Sequence, residues 1–566
     1  MKSIFRLLMM LLLSTALFTS CKKSAPKQTK HIPKNAVFVA AINTGAITKK
    51  MANSQATLET LFNSMADSDT AITKGKQEWE DFKNSGINLS ENFYVAVVQK
   101  DGNMQSGNNI VTGIGALEDA GKLEAYIKKK SPETQVKKEK DYSYAAMEDN
   151  NIVAWRDDLV LVMSNTPAAG QMSFDSTTGQ FNMQQPASSE ADLKAEILSY
   201  FNMKEDESVA SIPEFRELMK DNADGSFWVN SASSLENMQL PLPKVKELVE
   251  NSFTAATLNF EDGKIVMNSK SYTSPAMNDI LKKYAGPAVD LGSLQKYPSN
   301  NINGFFSFAF NPQMIVAIIN HMEMKAMADA QLSQMFGGAY TIEDLTKAIK
   351  GDMTMIVSDF SMPGADTAKA PRSASPMKMV VNIPIGDKTQ MNRLMDKLVE
   401  MGMMVKTGNE YRATEAISRT GYQVIVDDKN ILAASDIETL NQYRAGTAKA
   451  AIGADILDEF KGKVAVGYIN IESLLNAVPV NANDAQMSEV MPKAKATFRD
   501  AKGYAENFNG KYTAGHMELR FKNEKENSLV SLLQFFGEVG KATKKNGGRF
   551  QFGTDDSIAI DSIVTE

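Results

Sequence analysis

The sequence predicts an α+β protein built as two tandem copies of one unit, each with antiparallel sheets packed by helices. Three observations lead there. Short strand-like runs stand next to one another with single helices between them, which argues for antiparallel sheets rather than alternating βαβ units. Segments of the first half recur in the second, the mark of an internal repeat. The chain has 566 residues, 43% of them hydrophobic, and a single cysteine, so core size alone must stabilise it; such a length supplies about two to four domains.

The chain opens MKSIFRLLMMLLLSTALFTSC. Lys2 and Arg6 form a positive start, Leu7 to Leu13 an apolar run, and small polar residues lead to Cys21. Residues 1–20 therefore read as a signal peptide, too short for a membrane span of roughly 20 apolar residues. The stretch Leu17, Phe18, Thr19, Ser20, Cys21 resembles a bacterial lipobox of the relaxed Bacteroidetes kind. That resemblance implies acylation of Cys21 and a new N-terminus there. More than one acyl chain anchors a protein stably, at about 0.8 kcal/mol per buried methylene. Residues 21–34 then read as a lipidated, flexible, basic tether. Surface-exported lipoproteins of that phylum carry acidic residues after the cysteine, whereas Lys22 and Lys23 stand here. The implied location is the cell envelope, at the outer membrane and facing the periplasm. Removing Lys2 and Arg6 lowers the formal charge by 2, from −7 to −9, and a mildly acidic chain is a poor candidate for nucleic-acid binding.

The repeat shows in three matches. NAVFVAAINTGAI (35–47) faces NGFFSFAFNPQMI (303–315) at an offset of 303 − 35 = 268. IVAWRDDLVLVMSN (152–165) faces QVIVDDKNILAASD (423–436) at 428 − 157 = 271, which also places Leu123 on Leu394 and Ile127 on Leu398. SFWVNSASSLENM (226–238) faces AVGYINIESLLNA (465–477) at 465 − 226 = 239. The expected units are 35–290 and 303–550, with a linker at 291–302 and a tail at 551–566.

Within the first unit, Val37–Ile42 reads as a strand, followed by short helices to about Lys83. Phe93–Val98 and Ile110–Ile114 alternate or run apolar as strands do. Leu117, Leu123, Tyr126 and Ile127 share one helical face over 117–129. Strands follow at Tyr142–Met147, Ile152–Trp155 and Leu159–Met163, the last two joined at Asp157 and Asp158, with Asp427 and Asp428 in the second copy. Helices at Ala195–Asn202 and Pro213–Lys220 precede a strand at Phe227–Asn230. A hairpin over 254–272 turns at Glu261, Asp262 and Gly263; its counterpart, 503–521, turns at Asn509 and Gly510. The polar segments Thr166–Asp192 and Met362–Pro376 read as loops or linkers.

The lipobox, the opening IPKNAVFVAAIN, the strands ENFYVAVV and IVAWRDDLVLVMS, and their repetition are similar to an uncharacterised Bacteroidetes lipoprotein family, a domain of unknown function. The resemblance implies the fold and is silent on activity, so no catalytic residue follows from it.

The residues themselves offer little chemistry. GIGALE (113–118) stands between a strand and a helix as a dinucleotide loop would, but Glu118 occupies the third glycine position and would repel pyrophosphate. Gly113 and Gly115 read instead as a tight strand-to-helix turn. His321 and His516 each stand in a His-x-Glu, but neither has a second His or Cys at ligand spacing, and His31 lies in the tether. A Gly-x-Ser-x-Gly elbow is missing. Methionine is frequent, 33 residues, clustered at Met322, Met324, Met327 and Met335 and at Met401, Met403 and Met404; Cu(I) is a conceivable ligand, filling of irregular helix faces the stronger reading. Asp-Ser/Thr motifs make Thr70, Ser176, Thr367, Ser557 and Ser562 candidate O-glycosylation sites, by resemblance to the signal of exported Bacteroidetes proteins. The expected function is a non-enzymatic envelope module without cofactor, held to the membrane by its lipid and binding an envelope protein or glycan in the cleft between copies. The alternative is a hydrolase whose acid and base are carboxylates distant in sequence.

Overall fold

The computed structural model describes residues 25–52, 69–100, 109–147, 151–166, 171–175, 180–184, 190–232, 243–338, 340–361, 377–419, 421–446, 452–480 and 485–545. Cys21, Ser176, Thr367, Ser557 and Ser562 lie outside them. Thr70 falls in the first turn of the helix Asp69–Lys83.

The first half contributes β1 (Phe38–Ile42), β2 (Phe93–Gln99), β3 (Asn109–Ala116), β4 (Val136–Lys138), β5 (Ser143–Ala146), β6 (Asn151–Arg156), β7 (Leu159–Thr166), the separate hairpin β8 (Gln171–Asp175) and β9 (Gln180–Gln184), β10 (Gly225–Asn230), β11 (Phe253–Glu261) and β12 (Lys264–Tyr272). The second contributes β13 (Ile302–Ala309), β14 (Asp352–Ser358), β15 (Lys378–Pro384), β16 (Met404–Thr407), β17 (Glu410–Ala413), β18 (Gln423–Val426), β19 (Asn430–Ala434), β20 (Ala465–Ile469), β21 (Phe498–Ala505) and β22 (Thr513–Phe521). All but β8 and β9 join one antiparallel sheet of 20 strands.

Following the pairings gives β4-β5-β6-β7-β3-β2-β1-β10-β11-β12 and then β22-β21-β20-β13-β14-β15-β19-β18-β17-β16. The second run repeats the first in reverse, and the two halves meet through their last strands, β12 against β22. The fold is thus α+β, with one continuous antiparallel sheet where separate sheets were expected.

Alternation along the strands divides the core between two faces. In β7, Leu159, Leu161 and Met163 pack with Ile197, Phe201 and Phe215 from the helices Glu190–Phe201 and Pro213–Lys220. Val160 points the other way, with Trp155, toward Leu123 and Ile127 of the helix Ala120–Lys130. The second half repeats this, with Leu432 and Phe460 on one face and Met391 and Met395 on the other.

Cross-strand register fixes which residues correspond. Asp119 caps the helix Ala120–Lys130 through Lys122 N, and Asp387 caps Lys388–Glu400 through Thr389 N and Gln390 N. These caps differ by 387 − 119 = 268, so Leu123 corresponds to the buried Met391 and Ile127 to the buried Met395, not to Leu394 and Leu398. The offset of 271 holds beyond the helix, at β7 and β19, where Val162 faces Gly113 and Ala433 faces Val381. Carrying the register inward through β2 and β14 sets Val39 on Phe305, at 305 − 39 = 266 where the sequence match had 268, and therefore Trp228 on Tyr468, because Trp228 faces Val39 and Tyr468 faces Phe305. That offset is 468 − 228 = 240. The expected 239 put Trp228 on Gly467, and with a side-chain period of two an odd slip turns every residue to the wrong face.

Other boundaries move for identifiable reasons. Gly113 and Gly115 lie inside β3, and a Cβ at Gly113 would stand 2.9 Å from Phe93 Cζ; they leave room for that ring and do not form a turn. The helix starts after its Asp119 cap, while Leu117 bridges Ile87. The hairpin of the second half begins at Phe498, not 503. The segment expected as a tether is docked from Lys27 onward: Lys27–His31 is a 3₁₀ helix with Gln28 and Thr29 buried, and Ile32 is fully buried. The expected linker also belongs to a core, since Leu294 and Tyr297 are fully buried and the Tyr297 hydroxyl lies 3.0 Å from Ser358 Oγ.

Candidate functional site

The seam between the halves brings together polar groups that the sequence spreads over three hundred positions. Even-numbered residues of β12 and β22 share one face, and Asn268 faces His516 across the seam. Each is also the register counterpart of the other, at 516 − 268 = 248, so the local two-fold relation of the halves passes through this pair. His516 Nδ1 lies 2.8 Å from Asn268 Oδ1, and the imidazole stacks on Tyr504 at 5.1 Å between centroids.

On the second-half side, the seam is filled by charge. Lys264 Nζ donates to Glu518 Oε1 at 2.5 Å. Lys502 Nζ donates to Glu459 of the helix Ala454–Phe460 and lies 3.4 Å from Glu518 Oε2. Arg520 grips Asp500 with two bonds, at 2.5 and 2.9 Å. Burial opposes the charge on Glu518, yet the hydrogen bond from Lys264 and the ammonium of Lys502 hold its carboxyl below the ordinary glutamate range.

On the first-half side there is a cavity of about 210 Å³. Its floor is Ala255, Thr257 and Asn268, and its walls are Tyr272, Tyr504 and Tyr512. The helix Pro213–Lys220 and its C-cap line it with Glu214, Glu217 and Asp221. Glu217 accepts from Lys270 at 2.9 Å and from Lys511 at 3.3 Å, and these bonds, Lys270 foremost, keep it below the ordinary range. Glu214 and Asp221 have no ion-pair partner among the described residues. Tyr272, which lines the cavity, is only 6% exposed, and its buried hydroxyl has no hydrogen-bond partner among the described residues. Burial first, then the nearby carboxylates of Glu217, Glu214 and Asp221, push that phenol far above its usual value. Sequence reading missed this set. The carboxylates at 214, 217 and 221 follow helical spacing on one face, a visible signal, but nothing local says that the face looks onto a seam.

The candidates read from sequence fall apart in space. His31 Nδ1 lies 2.9 Å from the Tyr200 carbonyl, His321 Nε2 lies 3.1 Å from Glu247, and His516 sits in the seam. Among the described residues no group of three His, Cys, Asp or Glu side chains could hold a metal ion. Met327, Met335, Met401 and Met403 are exposed, while Met404 is buried against Met391 and Met395. No described helix is long and apolar enough to cross a membrane.

A family model described as a domain of unknown function, DUF4836, matches residues 28–529. The chain belongs to the DUF4836 family. Three crystal forms of TP0453 are similar to it at low identity. Form I is 7% identical, with 44% of this chain and 80% of that one covered and a TM-score of 0.24. Form IV is 10% identical, with 45% and 83% covered and a TM-score of 0.25. Form III is 9% identical, with 46% and 86% covered and a TM-score of 0.25. No curated protein matches the chain.

Proposed function

We propose that this DUF4836 member is a lipid-anchored envelope protein that binds a ligand in the seam pocket and carries out no chemistry there. The observation behind the reading is a cavity whose walls come from both halves, Tyr272 and Glu217 from one, Tyr504 and Tyr512 from the other. A hydrolase would need one carboxyl held protonated near neutrality as general acid. At the seam, Glu217 and Glu518 are instead pulled toward their ionised forms. Among the described residues the one carboxyl pushed upward, by burial first and by the nearby carboxylate of Asp290, is Asp352, which lies 3.6 Å from Lys350 and does not line the seam cavity.

The lipobox reading supplies the anchor at Cys21, the outer-membrane placement facing the periplasm and the membrane as partner. The matching strand order and register of the halves support descent from one copied unit. The Asp-Ser/Thr motifs supply the glycan sites at Thr70, Ser176, Thr367, Ser557 and Ser562. The test compares wild type, Cys21→Ala and the pocket-filling Ala514→Trp, each recovered from its native envelope. Mass spectrometry reads the mature N-terminus and the molecules that copurify. A lipidated Cys21, and a ligand present on wild type but missing from Ala514→Trp, support the reading; identical bound molecules on both refute the pocket.

A further inference from the structure

The two sides of the seam are built alike but filled differently. Register carries Ala255 onto Lys502, because Ala255 faces Trp228 and Lys502 faces Tyr468. It carries Lys270 onto Glu518 and Tyr272 onto Arg520, both at 248 (518 − 270 and 520 − 272). Each side also has a carboxylate from the helix packed on it: Glu459 meets Lys502 in the second half, and Glu214 lines the cavity together with Ala255 in the first. In the second half, therefore, the ammonium of Lys502 occupies the space between the helix carboxylate Glu459 and the strand carboxylate Glu518. In the first half the helix carboxylate Glu214 remains, the lysine is replaced by the methyl group of Ala255, and the space is a cavity. Both strand cations of the second half, Lys502 and Arg520, are thus missing from their counterpart positions, while the helix keeps three carboxylates at Glu214, Glu217 and Asp221.

Resting on the binding reading above, we infer that the seam pocket takes a ligand through a protonated amine, seated beside Glu214 over Ala255 as Lys502 is seated beside Glu459. Lys270 and Lys511 are committed to Glu217, which leaves Glu214 and Asp221 to meet the incoming charge. The rings of Tyr272 and Tyr512 add faces that attract cations; Lys511 and Lys270 already stand 5.8 and 5.5 Å from their centroids. The buried Tyr272 hydroxyl, without a hydrogen-bond partner among the described residues, offers an acceptor to an N–H donor. A charged donor makes bonds roughly twice as strong as a neutral one, whereas an anion would be repelled by Glu214 and Asp221, the ammonium groups of Lys270 and Lys511 being paired with Glu217.

The test is titration calorimetry of the full mature chain with 1,5-diaminopentane, succinate and glucose as probes. The expected result is saturable binding of the diamine alone, weakened at least tenfold by Glu214→Gln and abolished by Ala255→Lys, which places an internal ammonium where Lys502 has its own. Urea melts establish that both variants are folded, and Glu214→Gln, a neutral isostere at a half-buried site, carries the test if Ala255→Lys is not. Diamine binding unchanged in Glu214→Gln overturns the inference, as does no binding of the diamine. Binding of glucose or succinate in its place overturns the amine but leaves the pocket reading standing, whereas that reading falls only on the Ala514→Trp comparison.

Discussion

Replacing Lys502 with Met keeps an unbranched side chain reaching to the ε position and removes the ammonium with its charge and its donors. In the native protein this ammonium is about one-tenth exposed, and it serves Glu459, 28% exposed, and Glu518, 8% exposed. Each charge-assisted bond contributes about 1.5–3 kcal/mol net, the weaker end applying to the more open Glu459. Breaking a buried pair by removing one partner costs about 3–5 kcal/mol when the other is left without compensation. Glu518 keeps Lys264 at 2.5 Å, and the variant no longer buries an ammonium, so the expected loss is about 2 kcal/mol at pH 7. The sign with pH follows from the carboxyl. Glu518 is held below 4.5 in the folded protein, so its stabilisation is complete above the unfolded value and is lost as pH falls through the folded one. The variant has less of this stabilisation to lose, so the gap between variant and wild type should narrow as pH falls from about 5 toward about 3. Urea denaturation across that range reads both quantities. A loss under about 0.5 kcal/mol at pH 7, or a gap that widens in acid, would refute the view of the second-half seam as a filled ion site.

Other substitutions probe the scaffold. Asp119→Ala and Asp387→Ala each remove a helix cap and should cost about 1 kcal/mol, adding in the double variant because the sites share no partners; urea midpoints report both. Gly113→Val should cost about 1–3 kcal/mol, since its Cβ alone would stand 2.9 Å from the Phe93 ring, and thermal melting would register it. Trp228→Ala, at a fully buried side chain packed between Phe215 and Phe253, should cost about 3–5 kcal/mol and yield little folded protein on expression, judged by circular dichroism.

Local rules found most of the elements. The turn at Gly263, with φ of +69° and Glu524 Cα 2.5 Å from where a Cβ would be, admits only glycine, and the Glu-Asp-Gly run announced it. The helix Pro213–Lys220 came out with its true ends because proline at its first position marks an entry. What failed was anything that depends on a neighbour. The spacing of Gly113 and Gly115 is the same in a turn and in a strand that admits a ring from β2, and only the presence of Phe93 distinguishes them. Lys27–His31 is polar enough to read as a tether, yet it packs under Ile32 and sets Lys27 3.2 Å from Asp158. Correspondence between the halves was legible to within one to three residues, but assigning faces requires parity, and parity is set by strand partners. The seam pocket was the least legible of all, since Ala255 acquires meaning only when set against Lys502.

The joint between β12 and β22 makes each half the cover for the other's exposed edge. An isolated first half would present the free outer edge of the nine-residue β12 to any strand that met it, and such edges invite pairing with an identical copy. A homodimer joined in this way would have two identical pockets, both open or both plugged. Tying two units into one chain releases them from that symmetry: one side fills its space with its own lysine, which braces the sheet, while the other keeps a cavity.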